Sequence, residues 1–385
     1  MKLVILAGKH VYGGAEHLAR MLARALDTRH QVHLITTGPC DQELVEGNHR
    51  RIMLRLPSRP YFWHNYWNGS VVRRLRRHLE HIGPELVHFH NVHNRTLSAW
   101  SLLLSNRYPT VWTLHDLWSQ CVWSWHRPRP LVCRYSAYGC VGCRNMPVLS
   151  MVDRKIKEAV FRRSPLHLVV PCEWLRQRIA SGPLAGKPVE VIHNGVDPGP
   201  FEAADGGAVR KKFGIPQVAR VVLFAGHMLT NVKGHEDLLG ISPRVLATER
   251  DVWFLFAGPH GEKRTPHPQV LFAGRVEASE MPGYYAAADV FAYPTHADIF
   301  PLVVAEAMAS GLPVVTHRLA GIPEIVEDGV SGFVVDEGGR RFVRRKAETA
   351  PWGRAAGAAH GGGGPRTRPP SLHRPRARPE NRGTV

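Results

Sequence analysis

No stretch of this 385-residue sequence approaches the roughly 20 consecutive apolar residues that a membrane-spanning helix needs, so no such helix is expected. The opening run Lys2–Ala7 is too short for that role and leads into a Gly13-Gly14 turn and an amphipathic stretch. It reads as a first β-strand rather than a signal peptide, and the chain is expected to be cytoplasmic. Cysteine is sparse, six residues in all, and in that compartment a disulfide framework is not expected. The fingerprint GxGxxG is absent, so nicotinamide or flavin chemistry draws little support. Negative charge is in deficit, with 32 Asp and Glu against 50 Lys and Arg and a formal charge of +18.

A charge of +18 invites a nucleic-acid partner, but its distribution argues against one. Residues 340–385 hold twelve of the Lys and Arg and only two acidic residues, so more than half of the excess sits in the last 46 positions. That tail, rich in Arg, Pro and Gly with no apolar periodicity, is expected to be disordered, and its abrupt onset is what an out-of-frame high-GC reading produces. In the body one basic cluster stands out, Val71-Val72-Arg73-Arg74-Leu75-Arg76-Arg77-His78-Leu79. Positions 71, 72, 75 and 79 share one helical face. The flanking Arg73, Arg74, Arg76 and Arg77 form either a solvated face over a core stripe or a surface for anionic lipid headgroups at the inner face of the membrane.

Apolar runs at 2–7, 31–36, 85–89, 110–114, 167–170, 189–192, 220–225, 252–257, 270–273, 289–292, 313–316 and 332–335 read as strands. Amphipathic stretches lie between them, for example 14–27, 94–106, 173–181, 279–287 and 301–310. Fully apolar strands alternating with helices predict an α/β fold with parallel sheets buried on both faces. Twelve strands crowd a single open sheet, and the length suits two domains. The turn-rich segment His193-Asn-Gly-Val-Asp-Pro-Gly-Pro200 is the expected joint, dividing the chain into 1–193 and 194–339 with six strands in each. Ligands of such sheets bind beyond the carboxyl ends of the strands, so the chemistry is sought in the loops there.

Three such loops carry suggestive residues. Gly13-Gly14 opens the first helix, where bare backbone approaches a ligand and helix N–H groups face an anion; a plain tight turn is the simpler alternative. His115 lies just past the strand 110–114, placed to donate to a hydroxyl or take a proton, although most of the 23 histidines must be structural. Lys233, in Val232-Lys233-Gly234-His235, stands beside a helix start with the charge and reach for a diphosphate.

The most specific segment runs from Asp298-Ile-Phe-Pro-Leu-Val-Val-Ala-Glu306-Ala-Met-Ala-Ser-Gly-Leu-Pro-Val-Val to Gly321-Ile-Pro-Glu324. It resembles the retaining GT-B glycosyltransferases of family 4, whose motif reads E-x7-E-A-M-A-x-G-x-P-V-V followed by G-G-x-P-E, and the resemblance extends over residues 1–336. It implies two Rossmann-like domains facing across a cleft. By position it implies Asp298 on the donor sugar's hydroxyls, Glu306 on the nucleotide ribose and Glu324 in the same pocket. Backbone around Phe300, Pro301 and Leu302 would face the diphosphate, although Pro301 has no N–H to give. Lys233 would neutralise the departing diphosphate, Gly13 and Gly14 would close over it, and His115 would sit near the sugar's C6 hydroxyl. The class is associated with front-face displacement, in which the leaving phosphate takes the acceptor's proton, so no protein nucleophile and no catalytic cofactor are implied. Two departures stand out. Asp298 replaces the usual Glu, and Gly226-His227-Met228-Leu229 replaces the usual Gly-Arg-Leu.

A narrower resemblance joins Thr113-Leu-His115-Asp-Leu-Trp118 to Cys121, Cys133, Cys140 and Cys143. It is similar to the Cys-containing insertion, here 119–147, of colanic-acid-type exopolysaccharide transferases. Four thiolates with one CxxC could hold a structural zinc, or remain reduced thiols in a packed loop. Cys40 and Cys172 read as ordinary strand-edge or buried residues. Trp118, Trp123, Trp125, Tyr135 and Tyr138 could stack on an acceptor sugar or simply pack. The expected function is a hexosyltransferase of the cell envelope, moving a hexose from a UDP- or GDP-sugar to a growing polysaccharide or lipid-linked glycan. The alternatives are a truncated or impaired member that binds donor without efficient transfer, and a GT-B sugar-nucleotide epimerase.

Overall fold

The computed structural model describes residues 1–9, 13–46, 49–56, 68–93, 97–120, 147–226, 231–259 and 267–336. The basic tail and all four cysteines of the insertion lie outside those residues, as do Trp123, Trp125, Tyr135, Tyr138 and His227 to Leu229.

The first sheet comprises β1 (Lys2–Lys9), β2 (Gln31–Gly38), β3 (Gln42–Glu46), β4 (His49–Arg55), β5 (Leu86–Phe89), β6 (Thr110–Thr113), β7 (His167–Val170) and β8 (Val189–Val191). Its order is β3-β4-β2-β1-β5-β6-β7-β8, parallel except for the edge pair β3–β4. The second contains β9 (Arg220–Ala225), β10 (Val252–Ala257), β11 (Val270–Gly274), β12 (Val290–Tyr293), β13 (Val314–His317) and β14 (Gly332–Val335), in the order β11-β10-β9-β12-β13-β14 and wholly parallel. Renumbered from its first strand, that is 3-2-1-4-5-6, the doubly wound Rossmann order. The first sheet repeats it between β4 and β7. The chain is therefore α/β with two Rossmann-like domains.

All twelve strands read from the apolar runs are present. The hairpin β3–β4 was not among them, so among the described residues the division is eight strands and six rather than six and six. In β4 the apolar Ile52, Met53 and Leu54 are buried but stand among arginines, and β3 is an edge strand with Val45 exposed. A run broken by charge carries no strand-like apolar signature.

Helices pack where the periodicity predicts. In α1 (Gly14–Asp27), Ala19 and Ala23 lie against Leu3, Ile5 and Val32 of the first sheet. In α2 (Gly69–Ile82), Val71, Leu75, Leu79 and Ile82 are buried, Val72 is half-buried, and Gly83 ends the helix with φ 62°. Arg73, Arg76 and Arg77 are exposed. Then come α3 (Pro147–Arg163), α4 (Glu173–Ile179), α5 (Gly199–Glu202), α6 (Gly207–Phe213), α7 (His235–Thr248), α8 (Met281–Ala286) and α9 (Leu302–Ala309). The stretch expected as a helix at 94–106 is a 3₁₀ helix over Ala99–Asn106. There the Ser101 and Ser105 hydroxyls donate to the carbonyls three residues back, tightening the turn. No helix among the described residues is long and apolar enough to cross a membrane.

Beyond β13 the chain turns through Ala320, whose φ of 46° makes it the only non-glycine with positive φ among the described residues. A side chain in that region is strained by roughly 1–2 kcal/mol, and glycine's extra unfolded-state entropy offsets part of this. Ala320→Gly is expected to stabilise the protein by about 0.5–1 kcal/mol in urea unfolding. A lower midpoint would show that the turn is not strained.

Candidate active site

In each sheet the strand order reverses beside the first strand, between β1 and β5 and between β9 and β12. The loops leaving those four strands diverge and open a crevice. Loops after β9 and β12 carry Lys233 and Asp298, and those after β1 and β5 carry Gly13-Gly14 and His90-Asn91. The topology alone thus gathers most of the residues singled out by motif.

The β9 loop lies directly on the β12 loop. The His296 N–H donates to the Val232 carbonyl at 2.9 Å, and the Thr295 hydroxyl donates to the same oxygen at 3.2 Å. Gly234 has φ 78°, and a Cβ there would stand 1.8 Å from the Pro294 carbonyl oxygen. No other residue fits. Held this way, the Lys233 ammonium reaches the Asp298 carboxylate at 2.6 Å and the Ala297 carbonyl at 3.2 Å. Asp298 also accepts from the Tyr293 hydroxyl at 2.9 Å and, with its second oxygen, from the Ile299 N–H at 3.0 Å. Burial raises the Tyr293 phenol well above its ordinary range, so it remains a donor. The cation expected on the diphosphate and the anion expected on the sugar are therefore paired with each other.

Glu306 lies one helix further in, on α9. Its carboxylate accepts from the Tyr285 hydroxyl at 2.8 Å, and burial raises its carboxyl above the usual carboxylate value, a shift the Tyr285 bond partly opposes. Leu302 opens α9 with Pro301 as N-cap, and no side chain caps that end. Across the crevice Gly14 faces it, since a Cβ at Gly14 would meet Leu302 Cδ1 at 3.5 Å. Gly13 serves a different neighbour. A Cβ there would stand 2.2 Å from a Glu16 carboxylate oxygen, and Glu16 also accepts from the Asn91 amide at 3.0 Å. The space that the glycine turn leaves is filled by a carboxylate of this chain.

The remaining motif residues join the two domains. Ile299 and Phe300 are buried in the core of the first domain, and Phe300 lies 5.3 Å from the His193 ring. Glu324, expected to line the donor pocket, accepts from the Glu173 N–H at 2.9 Å and the Trp174 N–H at 3.1 Å, with His193 Nε2 at 3.3 Å. A carboxylate from the second domain thus caps α4 of the first. A Cβ at Gly321 would meet Cys172 Sγ at 2.8 Å, so the backbone there needs glycine. Burial pushes the Cys172 thiol up to about 12, which leaves it a packing residue; Cys40 is exposed.

His115 belongs to a histidine cluster that the motif alone did not reveal. His90 Nδ1 and His115 Nε2 are 2.9 Å apart with their rings stacked, and His88 Nε2 lies 2.7 Å from the Thr113 hydroxyl. Burial pushes His88 and His115 down to about 4 and His90 well below its ordinary value. Neutral at pH 7, His115 suits hydrogen bonding to a hydroxyl better than taking its proton. The i, i+2 spacing of His88 and His90, on a strand end beside His115, was the available signal. Trp118 is no sugar platform: it is buried, stacked on His93 at 4.9 Å and packed edge-on against Trp112 and Phe161. Among the described residues no group of His, Cys, Asp and Glu could hold a metal.

Two expectations follow. Gly234→Ala is expected to cost about 2–4 kcal/mol, from the strained φ and the clash with Pro294, and an unchanged melting temperature would contradict the close loop contact. The second concerns pH. His88 and His115 bind protons more weakly folded than unfolded, so their contribution is fully present above an ordinary value of 6.5 and is lost as pH falls towards about 4. The stability of His88→Gln,His115→Asn is expected to fall less steeply across that window than that of the parent; parallel curves would refute the assignment.

Two family models match the chain. Residues 219–345 match the model described as Glycosyl transferases group 1, and residues 12–199 match Glycosyltransferase Family 4. A D-inositol 3-phosphate glycosyltransferase of Mycolicibacterium gilvum is 36% identical over 161 residues, 38% of this chain and 35% of the relative. The match thus spans about a third of that curated relative. Among solved structures, sucrose-phosphate synthase from Thermosynechococcus elongatus superposes with a TM-score of 0.69 at 17% identity, covering 92% of both chains. Anabaena HepE in complex with UDP-glucose gives 0.61 at 19% identity, covering 91% of this chain and 89% of that one. The chain carries a family 4 glycosyltransferase domain followed by a group 1 glycosyltransferase domain, joined in the GT-B fold.

Proposed function

We propose that this protein is a retaining hexosyltransferase that moves a hexose from a nucleoside-diphosphate sugar, UDP- or GDP-linked, to a growing polysaccharide or lipid-linked glycan of the cell envelope. The observation that carries it is the convergence of Lys233, Asp298, Glu306 and the uncapped start of α9 at the switch point of the second sheet. A nucleotide sugar has a matching order of groups. Its ribose diol would donate to Glu306. Its diphosphate would lie over the N–H groups opening α9 and draw Lys233 from Asp298. Asp298, released, would accept from the sugar's hydroxyls, and His115 would hydrogen-bond the same sugar from the first domain.

In the displacement itself the bond from anomeric carbon to diphosphate oxygen breaks, and an acceptor oxygen bonds the same face of that carbon. The leaving phosphate takes the acceptor's proton, while Lys233 stabilises the charge that grows on it. The fold likeness to HepE in complex with UDP-glucose supports the UDP arm, and the D-inositol 3-phosphate glycosyltransferase relatives support glycosyl transfer as the reaction class. Arg73, Arg74, Arg76 and Arg77 would hold the enzyme against anionic lipid on the acceptor's side of the reaction.

A thermal-shift panel of UDP-, GDP- and dTDP-sugars tests donor binding. One nucleotide should stabilise the protein, and Lys233→Ala and Glu306→Gln should each weaken that binding about 10-fold or more. No shift with any donor would refute the pocket. A donor that binds, with an acceptor extract yielding no glycosylated product, would leave the pocket standing and overturn the transferase activity.

A further inference from the structure

A second cavity, of about 600 Å³, lies at the opposite end of the first sheet from the crevice. It is a half-open recess bounded by the starting residues of β1 and β2, the β3–β4 hairpin and one face of α2. Its walls carry the permanent cations Lys2, Arg50, Arg74 and Arg77 against a single carboxylate, Glu43. Several of these cations are already fixed. Lys2 Nζ donates to the Ile82 carbonyl at 3.1 Å, Arg74 donates to the Arg55 carbonyl at 3.0 Å and pairs with Asp41, and Arg50 meets Glu43 at 3.4 Å. They are pre-placed rather than free to swing away.

His33 also lines this cavity and is buried, 5% exposed, with neither ring nitrogen hydrogen-bonded. An unmet buried polar group is destabilising, and a ligand accepting from the ring would relieve that penalty. The arginines also divide. Arg74 and Arg77 line the cavity, whereas Arg73 and Arg76, one position before each, do not. A merely solvated basic face has no reason to pair that division with an unsatisfied buried imidazole. Nothing in the proposed donor chemistry uses these residues, so the two sites stand or fall separately.

We propose that this cavity is a binding site for a phosphate-bearing anion, with His33 as the buried donor at its base and Arg50, Arg74 and Arg77 as the cationic walls. The volume exceeds what one phosphate fills, so the ligand has a polar body attached, either a soluble phosphomonoester or a lipid headgroup. An oxygen of the phosphate accepts from the ring N–H and from the guanidinium fork of Arg77, the geometry in which arginine binds phosphate most strongly.

The test is calorimetric titration of the full chain with inorganic phosphate, alongside co-sedimentation with phosphatidylcholine vesicles with and without phosphatidic acid. In the phosphate titration Arg77→Ala and His33→Phe should each weaken binding about tenfold, whereas Arg73→Ala and the exposed, distant Lys211→Ala should not. Arg77 is exposed, so its variant reports even if His33→Phe fails to fold. Retention on phosphatidic acid vesicles that Arg77→Ala abolishes identifies a lipid headgroup; calorimetric binding without vesicle retention identifies a soluble anion. Three results overturn the proposal: binding of neither probe, equal losses of phosphate binding in Arg73→Ala and Arg77→Ala, which describe a diffuse basic face, or a loss in Lys233→Ala with none in Arg77→Ala, which moves the phosphate to the crevice.

Discussion

The contact between Gly234 and the Pro294 carbonyl sets the geometry of the second domain's ligand end. With space there for a hydrogen and not a methyl, the loop after β9 lies flat on the loop after β12. Lys233 is thereby delivered to Asp298, and Asp298 sits within reach of Tyr293 and the start of α9. The carboxylate has three partners and the ammonium two, all within a few ångströms. Such a pair fixes the position of both charges and competes with any ligand that arrives. Binding must exchange one set of charge-assisted bonds for another, which favours a ligand offering both a diphosphate for the lysine and hydroxyls for the carboxylate.

The same short segment fastens the two halves of the molecule. Asp298 faces the crevice, while its neighbours Ile299 and Phe300 are buried in the first domain's core. Glu324, a turn beyond Gly321, caps α4 in the first domain. The proposed donor pocket and the domain junction are thus built from one stretch of chain. His115 and its stacked partner His90 sit across the crevice as neutral rings, suited to reading hydroxyls rather than moving protons.

Much of this could be read from the sequence. Fully apolar strands at regular spacing gave away both sheets, because parallel strands buried on two faces have no polar side to hide them. The motif from Asp298 to Glu324 falls in the loops beyond the carboxyl ends of β12 and β13, in the second sheet. What escaped notice depends on contacts distant in sequence. Glu324 lies 151 residues from the N–H groups it caps, and no local pattern announces such a partner. Glu16 filling the space beside Gly13, and Trp118 packing into the core rather than facing a sugar, are likewise settled by neighbours that only the fold supplies. The β3–β4 hairpin was hidden by arginines among its apolar residues, and one of them, Arg50, in turn walls the second cavity.

A crystal structure of the protein with UDP bound tests the account most directly. The ribose is expected on Glu306 and the diphosphate between Lys233 and the start of α9, with the 2.6 Å Lys233–Asp298 contact opened. A nucleotide bound elsewhere, with that contact intact, would contradict it.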